Sequence, residues 1–264
     1  MQRIFSTCAC WLLGAAVFGA EAPARVPLFR AHAHNDYLHS RPLADALEHG
    51  FWSVEADVWL TNGALLVAHD FARTSPERTL QKLYLDPLRA FVKTNPAPQG
   101  APPLTLLIDV KSEAEATYAA LRGVLQGYGD ILTRFESNSI RTNAVMAIIS
   151  GARATATMRA EALRWAAVDG RLPDLDRPSP VALFPLVSDN WGPQFQWRGV
   201  GPFPENERAA LRELVRRTHA QGRRLRLWAA PDTEAGWKEL SEAGVDLLNT
   251  DHLDELEKFL REQK

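Results

Sequence analysis

From about residue 27 onward the chain alternates short apolar runs with amphipathic stretches. Runs of strand length fall at 27–34, 52–60, 104–110, 143–149, 165–168, 181–187, 224–229 and 245–249. Between most of them apolar residues return every three or four positions, the period of a helix with one buried face. These helical stretches are 43–49, 80–93, 113–128, 154–163, 205–220, 234–243 and 254–262. A further short apolar run, 64–68, follows Thr61-Asn62-Gly63. Asn-Gly between two apolar runs is a strong hairpin signal.

Eight strands with helices between most of them predict an α/β protein, a single (β/α)8 barrel of the TIM type. Its active site is expected at the C-terminal strand ends. A doubly wound open sheet is the alternative, but such a sheet usually carries a Gly-rich turn after its first strand, and none stands here. The Pro-rich stretches 96–103 and 172–180 read as loops, so one domain is expected over residues 23–264.

The start of the chain has a different pattern. Met1-Gln2-Arg3 is followed by an uncharged run of apolar or small residues from Ile4 to Ala20, and Val17-Phe18-Gly19 and Ala20-Glu21-Ala22 both offer small-residue cleavage patterns. This pattern predicts a secretory signal peptide over residues 1–22 and an exported protein, periplasmic or secreted. A run of roughly 17 residues sits at the short limit for a membrane span. Both cysteines, Cys8 and Cys10, fall inside it. The remaining chain then has no disulfide, no thiolate metal site and no cysteine nucleophile. With 264 residues and 46% hydrophobic content, packing alone can hold such a domain. The formal net charge of −2 offers no global reason to bind nucleic acid, and no obligate protein partner is implied.

Polar residues collect at the predicted strand ends. They include His32-Ala33-His34-Asn35, Glu55-Ala56-Asp57, His69-Asp70, Asp109-Val110-Lys111, Ser188-Asp189-Asn190, Trp228 and Asn249-Thr250-Asp251. Glu55 and Asp57, two apart on a strand, share a face. Two carboxylates side by side in a low dielectric either share a proton or bind a cation. Asp109 can add a third oxygen ligand, and such a set suits a hard divalent ion, Mg²⁺ or Ca²⁺. His32 and His69 flank this cluster and can serve as an acid/base pair near neutral pH. No Gly-x-Ser-x-Gly nucleophile elbow is present. Two histidines, a hard metal and Lys111 favour chemistry on a phosphate ester. His32-x-His34 also opens an amidohydrolase-like metal site, but later histidines at suitable strand ends are lacking.

His32…Glu55-x-Asp57…His69-Asp70…Asp109-x-Lys111 resembles the phospholipase-C-like phosphodiesterase superfamily, which includes glycerophosphodiester phosphodiesterases and sphingomyelinase D type phospholipases. The chain is most similar to the family of altered inheritance of mitochondria protein six. That likeness is carried by His32-Ala-His-Asn-Asp-Tyr37, Val54-Glu-Ala-Asp-Val-Trp59, Ser188-Asp-Asn-Trp191, Arg226-Leu-Trp228 and Leu248-Asn-Thr-Asp251. The resemblance implies His32 and His69 as acid and base, and Glu55, Asp57 and Asp109 as metal ligands. It implies Lys111 on the phosphate and Trp228 in the pocket wall. Asn35, three residues after the first histidine, matches the sphingomyelinase D type, as does Asp109 with Lys111 two residues on. His34 is the alternative to His32 as catalytic histidine, and His34 and Asn35 are otherwise expected on the substrate, with Lys111 and Trp228.

The expected activity is hydrolysis or cyclisation of a phosphoric diester, on a small-molecule or lipid substrate, with transient contact to a membrane surface. The alternative is a non-catalytic exported barrel that binds a phosphate-containing ligand. Trp59, Trp191 and Trp197 are read as core, with lipid or sugar contact as the alternative. Residues 212–226, rich in Arg, are read as a solvated helix face leading into a strand, with an anionic-headgroup patch as the alternative. Asp169, Asp189 and Asn190 are candidates for substrate contact or for capping.

Overall fold

The computed structural model describes residues 26–136 and 139–263. The predicted signal peptide, with Cys8 and Cys10, lies outside the described residues. In chain order the elements begin with β1 (Leu28–Ala33), α1 (Ala44–Glu48), β2 (Phe51–Thr61), β3 (Ala64–Val67), α2 (Asp86–Thr94), β4 (Leu104–Val110) and α3 (Ala114–Gln126). Next come β5 (Arg134–Glu136), β6 (Ser139–Arg141), β7 (Val145–Gly151), α4 (Thr155–Ala160), β8 (Leu163–Arg164), β9 (Ala167–Gly170), β10 (Leu186–Asn190) and α5 (Trp191–Gln194). The chain ends with α6 (Glu205–His219), β11 (Arg224–Trp228), α7 (Glu234–Ala243), β12 (Leu248–Thr250) and α8 (Leu253–Glu262).

Eight parallel strands among the described residues run in the order β11-β10-β9-β7-β4-β2-β1-β12. A single parallel bridge, Arg226 to Leu247, brings the two ends of that order together into a nearly closed barrel. The (β/α)8 expectation holds, and the open doubly wound sheet does not form. The hairpin also forms: β3 returns antiparallel on β2, and Asn62 and Gly63 both take positive φ, 51° and 78°, as a tight Asn-Gly turn needs.

Several predicted boundaries shift. The run 165–168 becomes β9 two residues later. Of 181–187 only Leu186 and Val187 are strand, because Leu183 and Phe184 turn back onto Pro180. The helix expected over 80–93 opens with a wide π-type turn, Gln81–Leu85, before α2. A 3-10 helix, Leu172–Asp176, lies in the stretch read as a loop. A small antiparallel sheet of β5, β6 and β8 was not visible in the pattern, since its strands are only two or three residues long.

The barrel interior is layered. Leu107, Ile148, Ala167, Leu186 and Leu247 form one buried apolar cluster, joined by Met146 and by Phe135 of the small sheet. Two residues further along, on the same faces, stand Asp109, Ser150, Asp169, Ser188 and Asn249. Each strand therefore turns from apolar to polar at its C-terminal end. The helices cover the outside through a larger apolar cluster. Trp191 and Trp197 belong to that packing, with Phe195 and Phe203, which settles them as core rather than lipid or sugar contacts. The Arg-rich stretch divides: Arg212 and Arg216 are exposed and Arg217 half-buried on α6, whereas Arg223 and Arg226 are buried.

Candidate active site

The polar layer is built around Glu55 and Asp57 on β2 and Asp109 on β4. Asp57 and Asp109 are direct partners in the parallel register, which sets the two carboxylates side by side. One oxygen from each of Glu55, Asp57 and Asp109 lies within 4.8 Å of the others. Burial pushes the Asp57 carboxyl up to about 6, and the neighbouring Glu55 charge adds to the rise. Burial also raises Asp109. Three carboxylates that repel one another, two buried and Asp109 half-buried, are a fit for a hard divalent cation, whose charge relieves that repulsion.

Gly151 makes room for this arrangement. It follows Ser150 on β7 with φ 66°, and a Cβ there would lie 2.0 Å from Asp109 Oδ1. Only glycine allows both the backbone angle and the approach.

Cations answer the carboxylates from two sides. Lys111 Nζ is 3.1 Å from Asp57 Oδ2 and 3.4 Å from Asp109 Oδ2. Arg226, buried on β11, places one terminal nitrogen 3.4 Å from both Glu55 oxygens while its Nε donates to Asn249 Oδ1 at 2.7 Å. The motif Arg226-Leu-Trp228 carried no role for Arg226 in the sequence; its charge matters only because the barrel closes over Glu55. Trp228 ends β11, half-buried, opposite Asn190 in register.

The first histidine pair separates in depth. His32 has no solvent exposure; its Nδ1 meets Ser53 Oγ at 2.7 Å, and its Nε2, 4.0 Å from Glu55, makes no hydrogen bond among the described residues. Burial, with the Arg226 charge, holds His32 well below 6.5 and therefore neutral. His34 stands half-exposed at the mouth, with Nδ1 2.9 Å from Asp251 Oδ1 and Nε2 3.6 Å from Glu55 Oε2. Burial works against its charge, but Asp251 and Glu55 outweigh it and hold His34 above 6.5. His69 is exposed, with Nδ1 3.0 Å from Asp70 Oδ1. The backbone N–H of Ala68 donates to the Asp57 carbonyl, which ties the His69 loop to the cluster.

The segment after β1 fastens the carboxylates. Asn35, in a left-handed conformation (φ 49°), directs its backbone N–H at Glu55 Oε2 and its side-chain amide at Asp251. The Tyr37 hydroxyl shares its hydrogen between Asp57 Oδ2 and Asn35 Oδ1, each at 2.7 Å. Asp36 is buried beneath them, accepting from the Leu43 N–H at 2.6 Å and the Tyr84 O–H at 2.8 Å. Tyr37, Asp36 and Asp251 lay within the quoted motifs without a role, because the contacts that tie them to the site, Tyr37 to Asp57, Asp36 to Tyr84 and Asp251 to His34, span 20 to 217 residues. Asp169 and Asn190 serve the scaffold: Asp169 Oδ2 takes Ser150 and Arg171, and Asn190 caps α5. Asp189 accepts from the Leu172 and Asn190 N–H groups.

The (β/α)8 barrel, with an acidic cluster at its mouth, has the glycerophosphodiesterase and phospholipase C type of fold. Residues 24–101 match the AIM6-like phosphodiesterase domain, and residues 224–254 match the glycerophosphoryl diester phosphodiesterase family. Altered inheritance of mitochondria protein 6 from Eremothecium gossypii is 30% identical, over 88% of this chain and 69% of that one. The homolog from Arthroderma benhamiae is 30% identical, over 83% of this chain and 80% of that one. The chain belongs to the altered inheritance of mitochondria protein 6 family. Among solved structures, a Ca²⁺-dependent phosphatidylinositol-specific phospholipase C from Streptomyces antibioticus superposes with TM-score 0.60 at 13% identity, over 88% of this chain and 95% of that one. A glycerophosphodiester phosphodiesterase from Parabacteroides distasonis gives 0.54 at 17%, over 89% and 97%. Both share the barrel fold.

Proposed function

We propose that the protein is an exported, metal-dependent phosphoric diester hydrolase or cyclase acting on a glycerophosphodiester-like or phospholipid-derived substrate. The observation that carries this reading is the set of three carboxylates at the mouth, with Lys111 on two of them, His34 beside Glu55, and the His69 loop tied to Asp57 through the Ala68 N–H. Glu55, Asp57 and Asp109 hold the divalent cation, Mg²⁺ or Ca²⁺, which when bound stabilises charge growing on the non-bridging phosphate oxygens.

Lys111 adds a second positive charge to the same oxygens. His69 takes the proton from the attacking water or from a neighbouring substrate hydroxyl as its oxygen bonds to phosphorus. The bond from phosphorus to the leaving alcohol breaks, and a protonated histidine on the other side gives that alcohol its proton. Burial favours His34 over His32 for the acid role: His34 reaches the mouth and is held above 6.5, whereas His32 is sealed and neutral. His32 then supports Glu55 from below. Attack by a substrate hydroxyl yields a cyclic phosphate; attack by water yields the open monoester.

The test is hydrolysis of bis(p-nitrophenyl) phosphate by the chain from residue 23, with Mg²⁺, Ca²⁺ or EDTA, beside Glu55→Ala/Asp57→Ala. Metal-dependent turnover lost in the double variant is expected. Absence of turnover together with binding of a phosphate ester would move the protein to the non-catalytic binding reading. Export rests on residues 1–22 and is checked by fractionating cells that express the full chain.

A further inference from the structure

The carboxylate cluster carries two cations of different kinds. Arg226 is fixed: its side chain is 3% exposed, and Asn249 holds its Nε. Lys111 comes in from the rim: its side chain is 27% exposed, and it bridges Asp57 and Asp109 through Nζ alone. Its backbone N–H is anchored on the Val58 carbonyl, so the strand end stays put while the four-carbon stem is free to turn. A guanidinium enclosed by the barrel cannot leave Glu55. An ammonium at the edge of solvent can leave its partners.

Lys111 also rests on two of the three carboxylates that the metal needs. A dication and an ammonium repel each other, so a cation bound to Asp57 and Asp109 weakens the hold of Lys111 on the same carboxylates. The contacts of Lys111 and its proposed role on the phosphate are therefore alternatives in time. Resting on the metal-dependent diesterase reading, we propose that Lys111 is a displaceable counter-ion that links metal binding to phosphate binding. Its ammonium neutralises Asp57 and Asp109 until a divalent cation takes them, and is then released to the phosphate. The linkage is reciprocal: a phosphate that draws Lys111 away tightens the metal site by the same factor. The arrangement also explains why a lysine, not an arginine, stands at this position. A bidentate guanidinium would hold the carboxylates more rigidly.

The test reads Lys111 directly. Acylation by acetic anhydride is followed residue by residue by mass spectrometry, with exposed Lys82 and Lys258 as internal references. Mg²⁺ is expected to raise Lys111 labelling about fivefold or more, and inorganic phosphate added with Mg²⁺ to lower it again. By calorimetry Lys111→Gln is expected to bind Mg²⁺ about fivefold or more tightly than the parent, since the competing ammonium is gone. A parent protein that binds Mg²⁺ with unchanged Lys111 labelling, or a Lys111→Gln protein that binds it more weakly, overturns the linkage and leaves the metal reading standing. Failure of both proteins to bind Mg²⁺ or Ca²⁺ overturns the metal reading itself, and the linkage with it.

Discussion

His32 and His34 are two residues apart, yet their environments differ sharply. One imidazole is closed in against Ser53, the other is open and paired to Asp251. If His34 is the acid, His34→Asn lowers kcat by roughly a hundred- to ten-thousandfold with the fold intact. His32→Asn is then expected to weaken metal binding more than it lowers kcat at saturating metal. Steady-state kinetics with a metal titration separates the two; the reverse pattern assigns the acid role to His32. Asp36 offers a pH test at the same scale. Burial raises its carboxyl to about 6 against an ordinary 3.8. A carboxyl raised on folding stabilises the folded chain below the lower value and loses that contribution as pH rises through the upper one. Asp36→Asn keeps an acceptor for Leu43 and Tyr84 and cannot ionise. It is expected to match the parent near pH 4 and to exceed it by up to about 3 kcal/mol above pH 6.5, measured by urea unfolding across pH.

At the scale of elements, the strand ends carry the site and the turns beyond them aim it. Gly151 is the tightest of these constraints. Gly151→Ala drives a methyl into Asp109 Oδ1 and the Val110 carbonyl at a positive φ. It is expected to cost about 1–3 kcal/mol and to loosen metal binding at least as much as stability, read by thermal melts with and without Ca²⁺. The hairpin of β2 and β3 returns the chain to Asp57, where the Ala68 N–H meets its carbonyl, so His69 is positioned by an Asn-Gly turn seven residues before it. Element boundaries were least legible where local signals conflicted. The apolar residues 181–185 read as strand, but Pro180 and Pro185 punctuate them, and Leu183 and Phe184 close turns on Pro180 instead. The three short strands of the small sheet are stabilised by pairing across the chain, which no local pattern reports.

For the whole molecule, ligand binding and stability are one quantity. A divalent cation at 100 times its Kd stabilises the folded state by about 2.7 kcal/mol, which for a domain of this size raises Tm by about 5–10 °C. Differential scanning calorimetry with Ca²⁺ and with EDTA is expected to show that rise in the parent and not in Asp57→Asn. The same scale sets what could be read in advance. The alternation of strand and helix, the Asn-Gly hairpin, and the Glu55-x-Asp57 and Asp109-x-Lys111 pairs follow from periodicity and side-chain chemistry, which are local. They were sufficient for the barrel and the acidic cluster. Closure of the barrel decided the rest. It set Arg226 on Glu55 across 171 residues and Asp251 on His34 across 217, buried His32 while leaving His34 open, and stood Lys111 between two carboxylates. Charge, burial and distance between residues remote in sequence are properties of the packed chain. They separate a histidine open to the mouth from one enclosed by its neighbours.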